Sequence, residues 1–173
     1  PDGAPLVVNT RQQAQGLAER LAGQDLAVAY AMTYGAPSLA DGLAELAGCT
    51  RILVLPMFPQ HSASTQGAVF DALAAALRPA MHLPSVDFVA DFCDHPGYIA
   101  ALADTVRAHW AAHGRGERLL MSFHGLPQRS VDRGDPYADH CRRTAQLLAQ
   151  ALALSADDWQ LSFQSRFGRA RWL

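Results

Sequence analysis

Short runs of aliphatic and β-branched residues alternate along the chain with longer stretches in which apolar positions recur three and four apart. The first pattern reads as strand and the second as a helix with one buried face. Strands are expected over residues 26–33, 51–58, 86–90, 118–123 and 159–163. Helices are expected over 11–22, 39–47, 65–77, 98–112 and 137–152. Such alternation predicts an α/β fold with parallel strands joined by helical crossovers. Ile52-Leu53-Val54-Leu55 is apolar at consecutive positions, as expected for a strand covered on both faces. Local punctuation agrees: Ser38 with Asp41 three positions on can cap a helix start, Gly48 and Gly114 can close helix ends, and Pro79 stops another.

The segment from Pro56 to Ser64 is rich in Pro and Ser and divides the chain into a first lobe, residues 1–60, and a second, residues 61–173. Half of the 173 residues are hydrophobic, enough for a sizeable core. The net charge of -2 lacks the basic surplus of nucleic-acid binders, so no nucleic-acid partner is expected. No apolar run approaches the roughly 20 residues that cross a bilayer. Cys49, Cys93 and Cys141 form no C-x-x-C pair and read as free thiols, which suits a reducing, cytoplasmic setting.

The chemistry concentrates where an apolar strand, Leu119-Leu120-Met121-Ser122-Phe123, runs straight into His124-Gly125-Leu126-Pro127. Ligands of parallel α/β sheets bind outside the carboxyl ends of strands, so His124 is a candidate metal ligand or general base. The competing reading is a histidine that only hydrogen-bonds its own loop. His109 and His113, four apart on a predicted helix, could share a metal, yet their place in the helix's last turns favours a structural role. Asp91, Asp94 and His95 cluster in a loop after a strand that could line a cleft or guide metal entry, although a solvated loop is the better reading, and His82, His140 and the three thiols receive no chemical role. Neither G-x-G-x-x-G nor G-x-S-x-G occurs, which argues against a dinucleotide site and the commonest hydrolase elbow.

Ser122-Phe123-His124-Gly125-Leu126-Pro127, followed by Gly134-Asp135-Pro136-Tyr137, resembles the signature of the ferrochelatase family in both residues and spacing. The resemblance extends to Gly3-Ala4-Pro5-Leu6, to residues 56–62, to Phe163-Gln164-Ser165-Arg166-Phe167-Gly168 and to Trp172-Leu173. It implies a chelatase fold of two Rossmann-like lobes with a porphyrin cleft between them. It further implies an enzyme of haem biosynthesis that inserts ferrous iron into protoporphyrin IX, with His124 facing the macrocycle as metal ligand or proton acceptor. His61, Ser122 and Arg166 are then expected at the substrate cleft, with Arg169 and Arg171 as further candidates near its mouth. Iron is a substrate in this reading. No iron-sulfur cluster is supported within these 173 residues, since Ala63 stands where animal relatives carry a cluster cysteine. Thr33 occupies a position where many bacterial relatives have Arg. The resemblance places the acidic partner of His124 beyond Leu173 and one cleft wall ahead of Pro1, so the 173-residue chain alone is expected not to sustain catalysis. A chelatase for another metal and tetrapyrrole, and a non-catalytic tetrapyrrole-binding protein of the same fold, are the alternatives.

Overall fold

The structure, a computed structural model, describes residues 4–173; Gly3 of the N-terminal match lies outside them. The fold is mixed α/β, with two parallel two-stranded sheets. Two compact units divide the chain. One holds the chain through Leu55 together with Gly67–Phe88, and the other holds Pro56–Gln66 and Val89–Leu173. The chain thus changes unit three times, whereas the sequence pattern suggests a single division at residue 60.

In the first unit α1 (Pro5–Arg20), α2 (Leu39–Glu45), β1 (Arg51–Val54), α3 (Ala68–Leu77) and β2 (Ser85–Phe88) follow one another. α1 starts six residues before its predicted position because Pro5 occupies the first turn, where the missing N–H costs nothing and the fixed φ is already helical. The capping box of α2 is as expected: Asp41 N–H donates to Ser38 Oγ, and Ser38 N–H donates back to the Asp41 carboxylate. That bond to the charged form holds the Asp41 carboxyl below the usual carboxylate range. β1 pairs with β2 from Arg51↔Ser85 to Val54↔Phe88. The strand stops at Val54 instead of reaching residue 58 because Pro56 and Pro59 cannot donate to a ladder. Ile52 is buried but Leu53 is 65% exposed, so this strand is covered on one face only. Residues 26–33 carry no ladder at all; a run of strand-like composition becomes a strand only when a neighbour accepts its backbone bonds.

The second unit contains α4 (Pro96–His113), β3 (Leu119–His124), α5 (Gln128–Asp132), α6 (Tyr137–Ala151) and β4 (Trp159–Gln164). β3 pairs with β4 in parallel from Leu119↔Trp159 to His124↔Gln164. Side chains alternate across the sheet. Leu119, Met121 and Phe123 of β3, with Trp159 and Leu161 of β4, therefore turn to one side and pack with Ala103, Ala145, Leu148, Ala149 and Leu152 of α4, α6 and the residue that ends α6. The alanines let α4 and α6 approach closely, and burial of Ala138, Cys141, Thr144, Ala145, Leu148 and Ala149 marks the inward stripe of α6. α5 was not expected; Pro127 precedes it and Gly134, at φ 96°, ends it. No helix among the described residues is long and apolar enough to cross a membrane.

Candidate functional site

The alternation that sends Met121 and Phe123 into the core sends Leu120, Ser122 and His124 to the opposite, uncovered face of β3. In a parallel ladder register partners share a face, so Gln160, Ser162 and Gln164 of β4 continue it. Leu120 is 61% exposed there. His124 is the last residue of β3 and pairs with the last residue of β4, which is the strand-end position expected for a ligand site.

The imidazole of His124 is oriented by its own turn. Nδ1 lies 2.8 Å from the carbonyl oxygen of Gly125, and a carbonyl only accepts, so Nδ1 carries the proton. The neutral ring then presents Nε2 with a free lone pair, the form that can coordinate a cation or take up a proton. The turn itself is tightly held. Gly125 N–H donates to the Gln164 carbonyl at 2.6 Å, and a Cβ on Gly125 would meet that same oxygen at 2.8 Å. Only glycine fits. Gly125→Ala is expected to cost about 1–3 kcal/mol by forcing the ends of β3 and β4 apart. Thermal denaturation of the full-length protein measures this, and an unchanged midpoint would refute it.

The chain beyond β4 returns to close the same turn. Gln128 N–H donates to the Arg171 carbonyl, Leu173 N–H donates to the Leu126 carbonyl, and Pro127 and Trp172 form an antiparallel bridge. Ser165 adopts a left-handed φ of 70° immediately after β4, and Arg166 follows on the exposed turn. Arg166, Arg169 and Arg171 are exposed, and none has an acidic partner among the described residues.

Asp135 ties this region to the segment holding His61. One carboxylate oxygen accepts from Tyr137 N–H at 3.1 Å, and the other accepts from the Ser62 hydroxyl and from Ala63 N–H, both at 2.9 Å. Ser62 is almost fully buried; its own N–H donates to Gln66 Oε1, and Gln66 Nε2 donates to the Phe58 carbonyl. These bonds shape residues 58–66 into a fixed loop ahead of a π-helical turn, Ala63–Gly67, an irregularity frequent beside functional sites. His61 resembles His124 in its tautomer: its Nδ1 lies 3.0 Å from the Ala90 carbonyl, which leaves Nε2 as the free nitrogen.

Tyr137 stands against Phe163, with ring centroids 6.5 Å apart. Burial raises its pKa, so it remains a neutral phenol. The Cys141 thiol is pushed up to about 12, chiefly by burial, and is protonated at neutral pH. The loop cluster read as solvated has separate jobs. His95 caps α4 by accepting from Gly97 N–H at 3.1 Å, and Asp94 approaches Arg143 at 3.8 Å. Asp91 instead comes together with Cys93 and His140, residues to which the sequence pattern assigned nothing. No local signal could have joined them, because His140 lies on α6, far along the chain from the loop of the other two. His109 and His113 lie with ring centroids 4.6 Å apart, tilted by 42°, on α4 without a third ligand among the described residues.

The sequence model of the ferrochelatase family matches residues 1–173, the whole chain. The chain belongs to the ferrochelatase family. Its similarity to individual ferrochelatases is substantial: 55% identity to that of Azoarcus sp. (strain BH72) across 99% of this chain and 48% of the relative. Identity is 52% to the ferrochelatase of Aromatoleum aromaticum, with 99% and 48% covered. It is 50% to that of Aeromonas hydrophila subsp. hydrophila, with 99% and 54% covered. The chain spans about half the length of these curated relatives. Family membership agrees with the resemblance carried by the His124 and Gly134-Asp135-Pro136-Tyr137 motifs and with the α/β fold.

Proposed function

We propose that the full-length protein containing this chain is a ferrochelatase that inserts ferrous iron into protoporphyrin IX in haem biosynthesis, with His124 at the reacting centre. The observation that carries this reading is the His124 imidazole at the carboxyl end of β3, its Nδ1–H bound to the Gly125 carbonyl and its Nε2 free on the uncovered face.

Insertion exchanges one divalent cation for two pyrrole protons, so the site needs a group that receives a proton or passes a metal to the ring nitrogens. A neutral imidazole does either at physiological pH. The Gly125 turn fixes the ring before substrate arrives, which lowers the cost of orienting it. Ser122 lies one alternation back on the same face and can hydrogen-bond substrate. Leu120 supplies apolar surface to a broad macrocycle, and Arg166 suits a propionate as a paired charge. His61, with the same free Nε2, is proposed as a second polar group at the substrate site. Three free thiols fit a cytoplasmic enzyme. The 173-residue chain, about half the length of its relatives, is proposed to be inactive alone.

The test is anaerobic addition of ferrous iron to protoporphyrin with the full-length protein, following the fluorescence that the free porphyrin loses on metallation. Protein-dependent loss of fluorescence is expected. Tight porphyrin binding with no metallation would favour the non-catalytic binding protein, and metallation by cobalt or nickel but not iron would favour a chelatase of different specificity.

A further inference from the structure

Asp91, Cys93 and His140 offer a carboxylate oxygen, a thiol sulfur and an imidazole nitrogen that all lie within 4.8 Å of one another. We propose that these three residues form a second metal site in this protein, one that binds a thiophilic divalent cation of the zinc class. His124 and its neighbours on β3 include no cysteine, so the two sites differ in donor chemistry.

The donor set suits such a cation, for which sulfur, nitrogen and carboxylate oxygen are the usual ligands and three protein groups plus water a common arrangement. Ligands of a tetrahedral zinc ion stand about 3.3–3.8 Å apart, given bonds of 2.0–2.3 Å, so closing this group needs movements on the order of 1 Å. Cys93 is buried while Asp91 and His140 are half-buried, so two of the three donors reach solvent. Hydrogen bonds hold the backbone around the three donors. The Cys93 carbonyl accepts from Thr144 Oγ1 of α6 at 2.7 Å, Thr144 Oγ1 accepts from Gln60 Nε2 at 3.0 Å, and Phe92 N–H donates to the Pro59 carbonyl at 3.0 Å.

Burial, with Asp91 and Asp94 close by, pushes the Cys93 thiol up to about 12, so the sulfur carries its proton at neutral pH. The negative field that disfavours a bare thiolate favours a cation in the place of the thiol proton. Binding breaks the S–H bond, forms a metal–sulfur bond and releases that proton to solvent. His140 makes one further exchange. Its Nδ1 accepts from the His61 N–H at 3.2 Å in the metal-free chain. Whichever ring nitrogen takes the metal, the other carries the proton, so the His61 contact is given up. Occupancy is thereby coupled to the loop that holds His61.

Cobalt(II) titrated into the full-length protein, free of porphyrin and metal, tests the site through the ultraviolet charge-transfer band of a cobalt–thiolate bond. The band is expected in the wild type and in His124→Ala, and its loss in Cys93→Ser. Affinity should fall at least about tenfold in Asp91→Asn and His140→Gln, and should rise about tenfold per pH unit at neutral pH, since one thiol proton leaves. No band in the wild type, undiminished intensity in Cys93→Ser, or disappearance in His124→Ala would each overturn the proposal. If Cys93→Ser does not fold, the half-buried Asp91→Asn and His140→Gln variants decide, and unchanged cobalt affinity in both overturns it. Failure of iron insertion would leave this test unaffected.

Discussion

Replacing His124 with alanine is expected to lower kcat for iron insertion by the full-length protein by about 10²–10⁴-fold, the range typical for loss of a positioned acid–base group. The side chain lies on the uncovered face of β3 and makes its one hydrogen bond to the carbonyl of the next residue. Its removal therefore leaves the core of Met121, Phe123, Ala145 and Leu148 untouched. Folding and porphyrin affinity should change little, and the loss should fall on turnover. Fluorescence quenching measures porphyrin affinity, and the same fluorescence followed after adding iron measures turnover. Rates within twofold of the wild type would remove His124 from the reacting centre. A loss of affinity equal to the loss of rate would make it a binding group instead.

Asp135→Ala is expected to destabilise the protein by about 2–4 kcal/mol, more than a surface carboxylate is ordinarily worth. Three donors depend on this carboxylate: Tyr137 N–H, Ala63 N–H and the hydroxyl of Ser62. Ser62 is 1% exposed, and without Asp135 its hydroxyl keeps only the Ser64 hydroxyl, 2.9 Å away, as a side-chain partner. Asp135→Asn keeps acceptor oxygen for part of the set and should lose about half as much. Denaturant unfolding of the full-length protein reads both values. A change below about 0.5 kcal/mol for the alanine variant would mean that the loop's other hydrogen bonds, from Gln66, Gln60 and His61, hold it without Asp135. Because His61 rides on this loop, disorder should also appear as broadened His61 ring resonances in Asp135→Ala.

Local rules read much of the secondary structure correctly because the relevant forces act over a few residues. α6 follows from its apolar stripe, α2 from the Ser38–Asp41 box, and β3 from an aliphatic run that alternates faces. The exceptions have specific causes. Residues 26–33 have strand composition without a ladder, and α1 gained its first turn from Pro5. The short helix α5 is set by Pro127 and Gly134, at the two ends of a segment with too few residues to display a period. Leu53 and Leu120, apolar yet exposed, show that composition reports that a face can be covered and not what covers it.

The sequence by itself determined the α/β class, the family through its His124 and Gly134-Asp135-Pro136-Tyr137 motifs, and the placement of His124 at a strand end. Each of these depends on residues close together in the chain. Only the tertiary structure decided which nitrogen of His124 is free, since that depends on how the Gly125 carbonyl turns. The same holds for the clip from Asp135 to Ser62 and Ala63, and for the meeting of Asp91, Cys93 and His140. Those contacts join segments brought together by the packing of α6 and its neighbouring loops, and their energy depends on distance and burial, which a linear pattern does not carry.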